Sequence, residues 1–209
     1  MGKLVEMKLA GFLDELASKS PAPGGGSVAA LSGALGAALS SMVCNLTFGK
    51  EDYAAVQKEL QDVFKQSEQL RKHLTLLIDK DTEAFNEVMH ALKMPKDSEE
   101  QKEQRKRALQ TGFKHAAQVP LETAQACERV LDVALLVAEK GNKNSITDAA
   151  VSALLAHAGV ESALLNVKIN LSSIKDAAFV QTLSSDMEQV QQNASDKTKQ
   201  ILDIVDNSL

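Results

Sequence analysis

Between Val28 and Phe48 the chain carries no ionisable side chain except the thiol of Cys44. Ala29, Ala30, Gly33, Ala34, Gly36 and Ala37, with Ser32, Ser40 and Ser41, keep this run small on nearly every face of a helix. Small residues let neighbouring backbones approach closely, so such a helix belongs at the centre of a helical bundle or across a subunit interface. At about 21 residues it is also long enough to span a bilayer. The spanning reading is rejected on three grounds. The run depends on Ala, Gly and Ser rather than on Leu, Ile and Phe; no second span is expected after it; and Met1 to Lys19 mixes acidic residues with basic ones.

The segment before the run is Ser20-Pro21-Ala22-Pro23-Gly24-Gly25-Gly26-Ser27. Pro21 and Pro23 disfavour helix ahead of them, and the glycines permit backbone conformations that other residues resist. Ser27, or Gly26 just before it, is expected to cap the following helix. Unpaired N–H groups and the positive end of a helix dipole then face an anion or a polarised carbonyl. The alternative is a tight loop that only feeds a buried helix.

The remainder reads as helices. Leu9, Phe12, Leu13 and Leu16 mark one face of a first helix, and Gly49 stops the small-residue helix. Apolar residues from Val56 to Leu92 keep helical spacing until Pro95. Asp97 with Glu100 resembles a capping box, and Pro120 is expected to kink the next helix, which Gly141 closes. Ser145 with Asp148, and Ser173 with Asp176, repeat the capping device, and Asp186 to Asn207 reads as the last helix. There is no strand pattern and no internal repeat. With 209 residues, 44% hydrophobic and only 3% aromatic, the expectation is an all-α, single-domain bundle with long central helices over residues 1–209. A net charge of −5 argues against nucleic-acid binding. The absence of a signal-peptide pattern and the two cysteines in apolar surroundings suit a cytoplasmic protein with no membrane partner.

Two features suggest chemistry. Leu74, Leu77, Asp81, Phe85 and Val88 step by three and four, which puts a carboxylate on a core-facing stripe. Burial raises the pKa of such a group and suits it to proton transfer, unless it forms a buried ion pair. Asp148, Ser152, Leu155, Gly159, Ser162 and Asn166 form a polar or small seam, expected at a cleft or at a close helix crossing. Asp148 is also explained as a cap, and Asn142, Asn144 and Asn170 as turn residues. A metal site is not expected, because Glu87-x-x-His90 lacks the second Glu-x-x-His that a di-metal bundle needs.

Ser20-x-Ala22-Pro23-Gly24-Gly25-Gly26-Ser27-Val28-Ala29-Ala30, Asp81-x-x-Ala84-Phe85-Asn86, Pro95-Lys96, Gly141-Asn142-x-Asn144-x-x-x-Asp148, Asn166-Val167-Lys168-Ile169-Asn170-Leu171 and Lys175-Asp176 together resemble the cyclodeaminase/cyclohydrolase family. Its members are the cyclodeaminase part of formiminotransferase-cyclodeaminase and the stand-alone bacterial methenyltetrahydrofolate cyclohydrolases. The resemblance implies a helical homodimer with folate in a cleft at or near the subunit interface, acting without metal or redox cofactor. It implies hydrolysis of 5,10-methenyltetrahydrofolate to 10-formyltetrahydrofolate. The alternatives are formiminotetrahydrofolate cyclodeamination and a non-catalytic folate-binding dimer. Asp81 and Asp148 are then the catalytic carboxylates. Pro23, Gly24, Gly25, Gly26 and Ser27 position the folate, and Asn142, Asn144, Asn166 and Asn170 supply polar contacts; Lys50, Lys96, Lys168 and Lys175, each beside one of these motifs, suit the glutamate or polyglutamate tail, with solvated surface as the alternative.

Overall fold

The computed structural model describes residues 3–209. They form six α-helices: α1 (Leu9–Leu16), α2 (Gly25–Asn45), α3 (Gln57–Lys93), α4 (Glu99–Lys140), α5 (Ile146–Leu171) and α6 (Ala177–Asp206). Short 3₁₀ turns cover Leu4–Glu6, Glu51–Val56 and Lys143–Ser145, and there is no strand among the described residues.

The small-residue helix α2 is the hub. It packs on α3, α4 and α5, while α6 closes the far side against α4 and α5. α2 and α5 run antiparallel. Near one end Gly25 lies against Asn166, midway Ser152 Oγ donates to the Gly36 carbonyl (2.7 Å), and at the other end Asn142 Nδ2 donates to the Leu46 carbonyl (3.1 Å). A methyl group at Gly36 would press on the Ser152 carbonyl, and one at Gly33 or Gly159 on Cys127 Sγ. The glycines therefore set how closely three helices converge.

Several local expectations change. α2 is capped by Gly24, and the Gly24 carbonyl takes the first helical bond from the Val28 N–H (3.1 Å). Gly25 and Gly26 thus belong to the first helical turn. The only described residue with positive φ is Gly49, just after α2, so the glycine triplet answers a need for space and not for unusual dihedrals. The capping box of α4 is Ser98 with Gln101, because Gln101 Oε1 accepts from the Asp97 and Ser98 N–H groups. Ser145 makes no side-chain cap, since a 3₁₀ turn capped by Asn142 precedes α5. Asp176 caps α6 itself by accepting from the Phe179 N–H, which moves the start of that helix from Asp186 to Ala177.

A second helical stretch, Lys143–Leu171, proves long and apolar enough to cross a membrane, as Gly25–Asn45 does. This corrects the expectation of no second span. In the fold 61% of the apolar window of the α2 stretch and 50% of that of the α5 stretch are buried.

Candidate active site

α2, α3, α4 and α5 meet around a cleft of about 390 Å³ beside the N-terminus of α2. Its walls are largely apolar, with Phe85 and Val88 from α3, Phe113 from α4 and Ile169 from α5. Asp81, Asn166 and Asn170 supply its polar side chains, and Asp81 is the only ionisable residue in the lining.

Asp81 sits where the first turn of α2 crosses α3. Ser27 Oγ lies 3.1 Å from Asp81 Oδ2 and 2.9 Å from the Ile78 carbonyl, and the nearby Ser27 backbone N–H also favours the charged carboxyl. A methyl group at Gly26 would overlap Asp81 Oδ1, so only glycine admits the carboxyl this close. The free N–H end of α2, expected to face a ligand, thus holds the protein's own carboxylate. Burial pushes the Asp81 pKa above the ordinary carboxylate value of 3.8, and the Ser27 bonds oppose that rise. No ion pair among the described residues includes Asp81, which disposes of the structural ion-pair reading.

Asn170 has a second task. Pro120 lies inside the uninterrupted α4 and has no N–H to offer the Ala116 carbonyl one turn earlier. Asn170 Nδ2 donates to that carbonyl at 2.9 Å and to the Asn166 carbonyl at 2.8 Å. Both amide hydrogens are engaged, and the side chain is fixed at the cleft wall. Asn166 Nδ2 donates to the Ser162 carbonyl (2.8 Å) and abuts Gly25.

The expected site residues separate into two groups. Gly24, Gly25, Gly26, Asp81, Asn166 and Asn170 converge on the cleft. Pro23 is buried outside its lining, and Ser27 is fully buried, so its side chain cannot touch a ligand. Lys50, Asn142, Asn144 and Asp148 lie at the opposite end of the α2–α5 pair. Asp148 is 18 residues from Asn166, which is ~27 Å along a helix. At that end Asn142 is buried and structural: its N–H donates to Thr47 Oγ1, its Nδ2 to the Leu46 carbonyl, and its Oδ1 accepts from the Asn144 N–H. The polar seam of α5 serves a helix crossing at Ser152, where Ser40 and Gly36 bond it, and a cleft only at Asn166. Glu87 pairs with His115 at 2.7 Å. The aromatic walls Phe85 and Phe113 escaped the sequence reading, because residues of apolar periodicity look the same whether they face a core or a cleft.

Residues 8–189 match the family described as formiminotransferase-cyclodeaminase. The methenyltetrahydrofolate cyclohydrolase of Methylorubrum extorquens is 49% identical over 177 residues, covering 85% of this chain and 85% of that protein. The formimidoyltransferase-cyclodeaminase of Mus musculus is 36% identical over 84% of this chain, but the match spans only 32% of that longer protein. The crystal structure of formiminotetrahydrofolate cyclodeaminase from Thermotoga maritima superposes with a TM-score of 0.89 at 31% identity, covering 98% of both chains.

Proposed function

The chain belongs to the formiminotransferase-cyclodeaminase family, and on that premise we propose that it hydrolyses 5,10-methenyltetrahydrofolate to 10-formyltetrahydrofolate. The observation that carries this reading is Asp81, a desolvated carboxyl with no cation beside it, at the edge of a cleft otherwise apolar and amide-lined. The substrate carries its positive charge on the N5–CH–N10 bridge. Ionised Asp81 stabilises that cation and accepts a proton as water adds to the bridging carbon. The tetrahedral adduct then breaks its bond to N5, which takes that proton back, while the carbinol hydroxyl gives its own proton to water as its oxygen becomes the carbonyl of the formyl group left on N10. The net release of one proton matches the charge lost from the bridge. No metal or redox step is required. The 49% identity to a cyclohydrolase over most of both chains favours this reaction.

Deamination of 5-formiminotetrahydrofolate is the second reading, favoured by the T. maritima likeness. There N10 attacks the formimino carbon and ammonia leaves, through the same kind of tetrahedral carbon. One pair of assays separates the two. The purified protein is expected to bleach the methenyl absorbance faster than spontaneous hydrolysis, with chelator present. Faster ammonia release from the formimino substrate would reverse the order, and activity restored only by added metal would overturn the metal-free mechanism.

The proposed setting is the cytoplasm, and the proposed working form is a homodimer joined across the outer face of α2 and α5. Three observations support it: that face exposes Val28, Leu35, Met42, Val151, Leu154 and Leu165; the cleft contains no cation for a folate's glutamate carboxylates; and Lys50, Asn144 and Asp148 lie about 27 Å along the helices from it. A two-fold axis through the middle of the antiparallel pair sets one copy's Asp148 end over the other's cleft, whether the tail carries one glutamate or several.

A further inference from the structure

Ser27 is fully buried, yet its hydroxyl has two acceptors within reach and one hydrogen to give. The Ile78 carbonyl lies at 2.9 Å and Asp81 Oδ2 at 3.1 Å, with Thr82 Oγ1 at 3.4 Å. The Ile78 carbonyl also belongs to α3, where it is positioned for the ordinary helical bond from the Thr82 N–H, so it is not orphaned when the hydroxyl turns away. Asp81 has no such second donor side chain. From α2 it meets Gly26 and Ser27; the cleft it opens on is lined by Phe113 and Ala116 of α4 and by Asn166, Ile169 and Asn170 of α5, none of them titratable. The ionisable neighbours on α3 are engaged elsewhere, Asp79 with the Leu4 N–H and Lys80 with Glu122.

We propose that Ser27 is a positioning residue whose hydroxyl rotates between the Ile78 carbonyl and Asp81 Oδ2 as the carboxyl gains and loses its proton. When Asp81 is neutral, its proton sits on Oδ1, the oxygen that Ser27 Oγ does not bond, and Ser27 bonds Ile78. When that proton leaves, the Ser27 hydrogen turns to Oδ2 and holds the carboxylate in the same rotamer. The Ser27 hydrogen stays on Oγ throughout, and the only proton that travels is the one on Asp81. This deepens the reading of Asp81 as the proton-transfer group and rests on it.

The test is a carbon-13 NMR titration of the Asp81 carboxyl in ligand-free protein, with the pH profile of kcat beside it. In Ser27→Ala the midpoint is expected to rise by about one pH unit, because the hydrogen bond that favours the charged form is gone while the backbone N–H at position 27 remains. The acid limb of kcat moves up with it. An unmoved midpoint overturns the proposal. Should Ser27→Ala fail to fold, Ser27→Cys fills nearly the same space with a weaker donor, and the same criterion applies. The titration needs no substrate. A shifted midpoint in a protein that leaves methenyltetrahydrofolate untouched therefore refutes the hydrolase reading and keeps the Ser27 assignment.

Discussion

Asp81 pays for its position in a way that pH exposes. Its folded pKa lies above the unfolded value, so the folded protein holds the proton more tightly than the unfolded chain does. The stability this contributes is fully present below the unfolded pKa and is lost as pH rises through the folded pKa, after which a charge sits desolvated without a counter-ion. Asp81→Asn removes that charge and keeps the shape. The variant is expected to melt at or above the wild-type temperature at pH 8, to lose this advantage in acid, and to turn over roughly a hundredfold more slowly. Melting curves at several pH values check the first part. A loss on the order of 3 kcal/mol at pH 8 would instead reveal a stranded cation and return Asp81 to an ion pair. At this scale the sequence is informative where one helix carries the signal: Asp81 breaks an apolar stripe that its own neighbours define. It is silent on Ser27 as the partner, because that contact joins residues 54 apart and depends on Gly26 leaving room for the carboxyl.

The helices show which long-range debts the periodicity conceals. α4 runs through Pro120 because another element repairs the break, with Asn170 of α5 donating to the Ala116 carbonyl that the proline leaves free. Removing the donor strands a buried acceptor, so Asn170→Ala is expected to destabilise the fold by about 1–3 kcal/mol. Pro120→Ala restores a backbone N–H one turn after Ala116. In a double-mutant cycle it should recover much of the loss in the Asn170→Ala background and little in the wild type. Additive melting temperatures would show that the two positions are unconnected. Helix existence was legible throughout, since 3.6-residue periodicity marks each amphipathic element. The caps were less so. Ser, Asp and Glu recur at the spacing of a capping box around Asp97 and Ser98, and only the first helical bond, from the Lys102 N–H to the Ser98 carbonyl, selects between them. Asn170 read as a turn residue for the same reason: the proline it serves lies 50 positions away on another helix.

At the scale of the molecule, the expected site residues fall into two groups, one at each end of the α2–α5 pair. α2 is ~31 Å long and neighbouring helices sit ~9 Å apart, so the outer face of α2 and α5 offers on the order of 600 Å² per copy, or about 1,200 Å² in a two-fold dimer. That reaches the lower bound of specific interfaces, and α2 contributes no charged side chain to it. Complementation tests whether such a dimer joins the two groups. Asp81→Asn and Asp148→Asn are each expected to give folded, nearly inactive homodimers, since Asn keeps the shape of either side chain. If every site takes Asp81 from one copy and Asp148 from the other, a heterodimer of the two variants contains one site with both lesions and one with neither. Differently tagged chains, co-expressed and purified through both tags, should then recover about half of the wild-type turnover. If Asp148 instead serves only its own copy, every site in the heterodimer carries one lesion and turnover stays at the level of the single variants. An Asp148→Asn homodimer with full activity would remove Asp148 from the reaction altogether, and sedimentation as a monomer at assay concentration would remove the shared site.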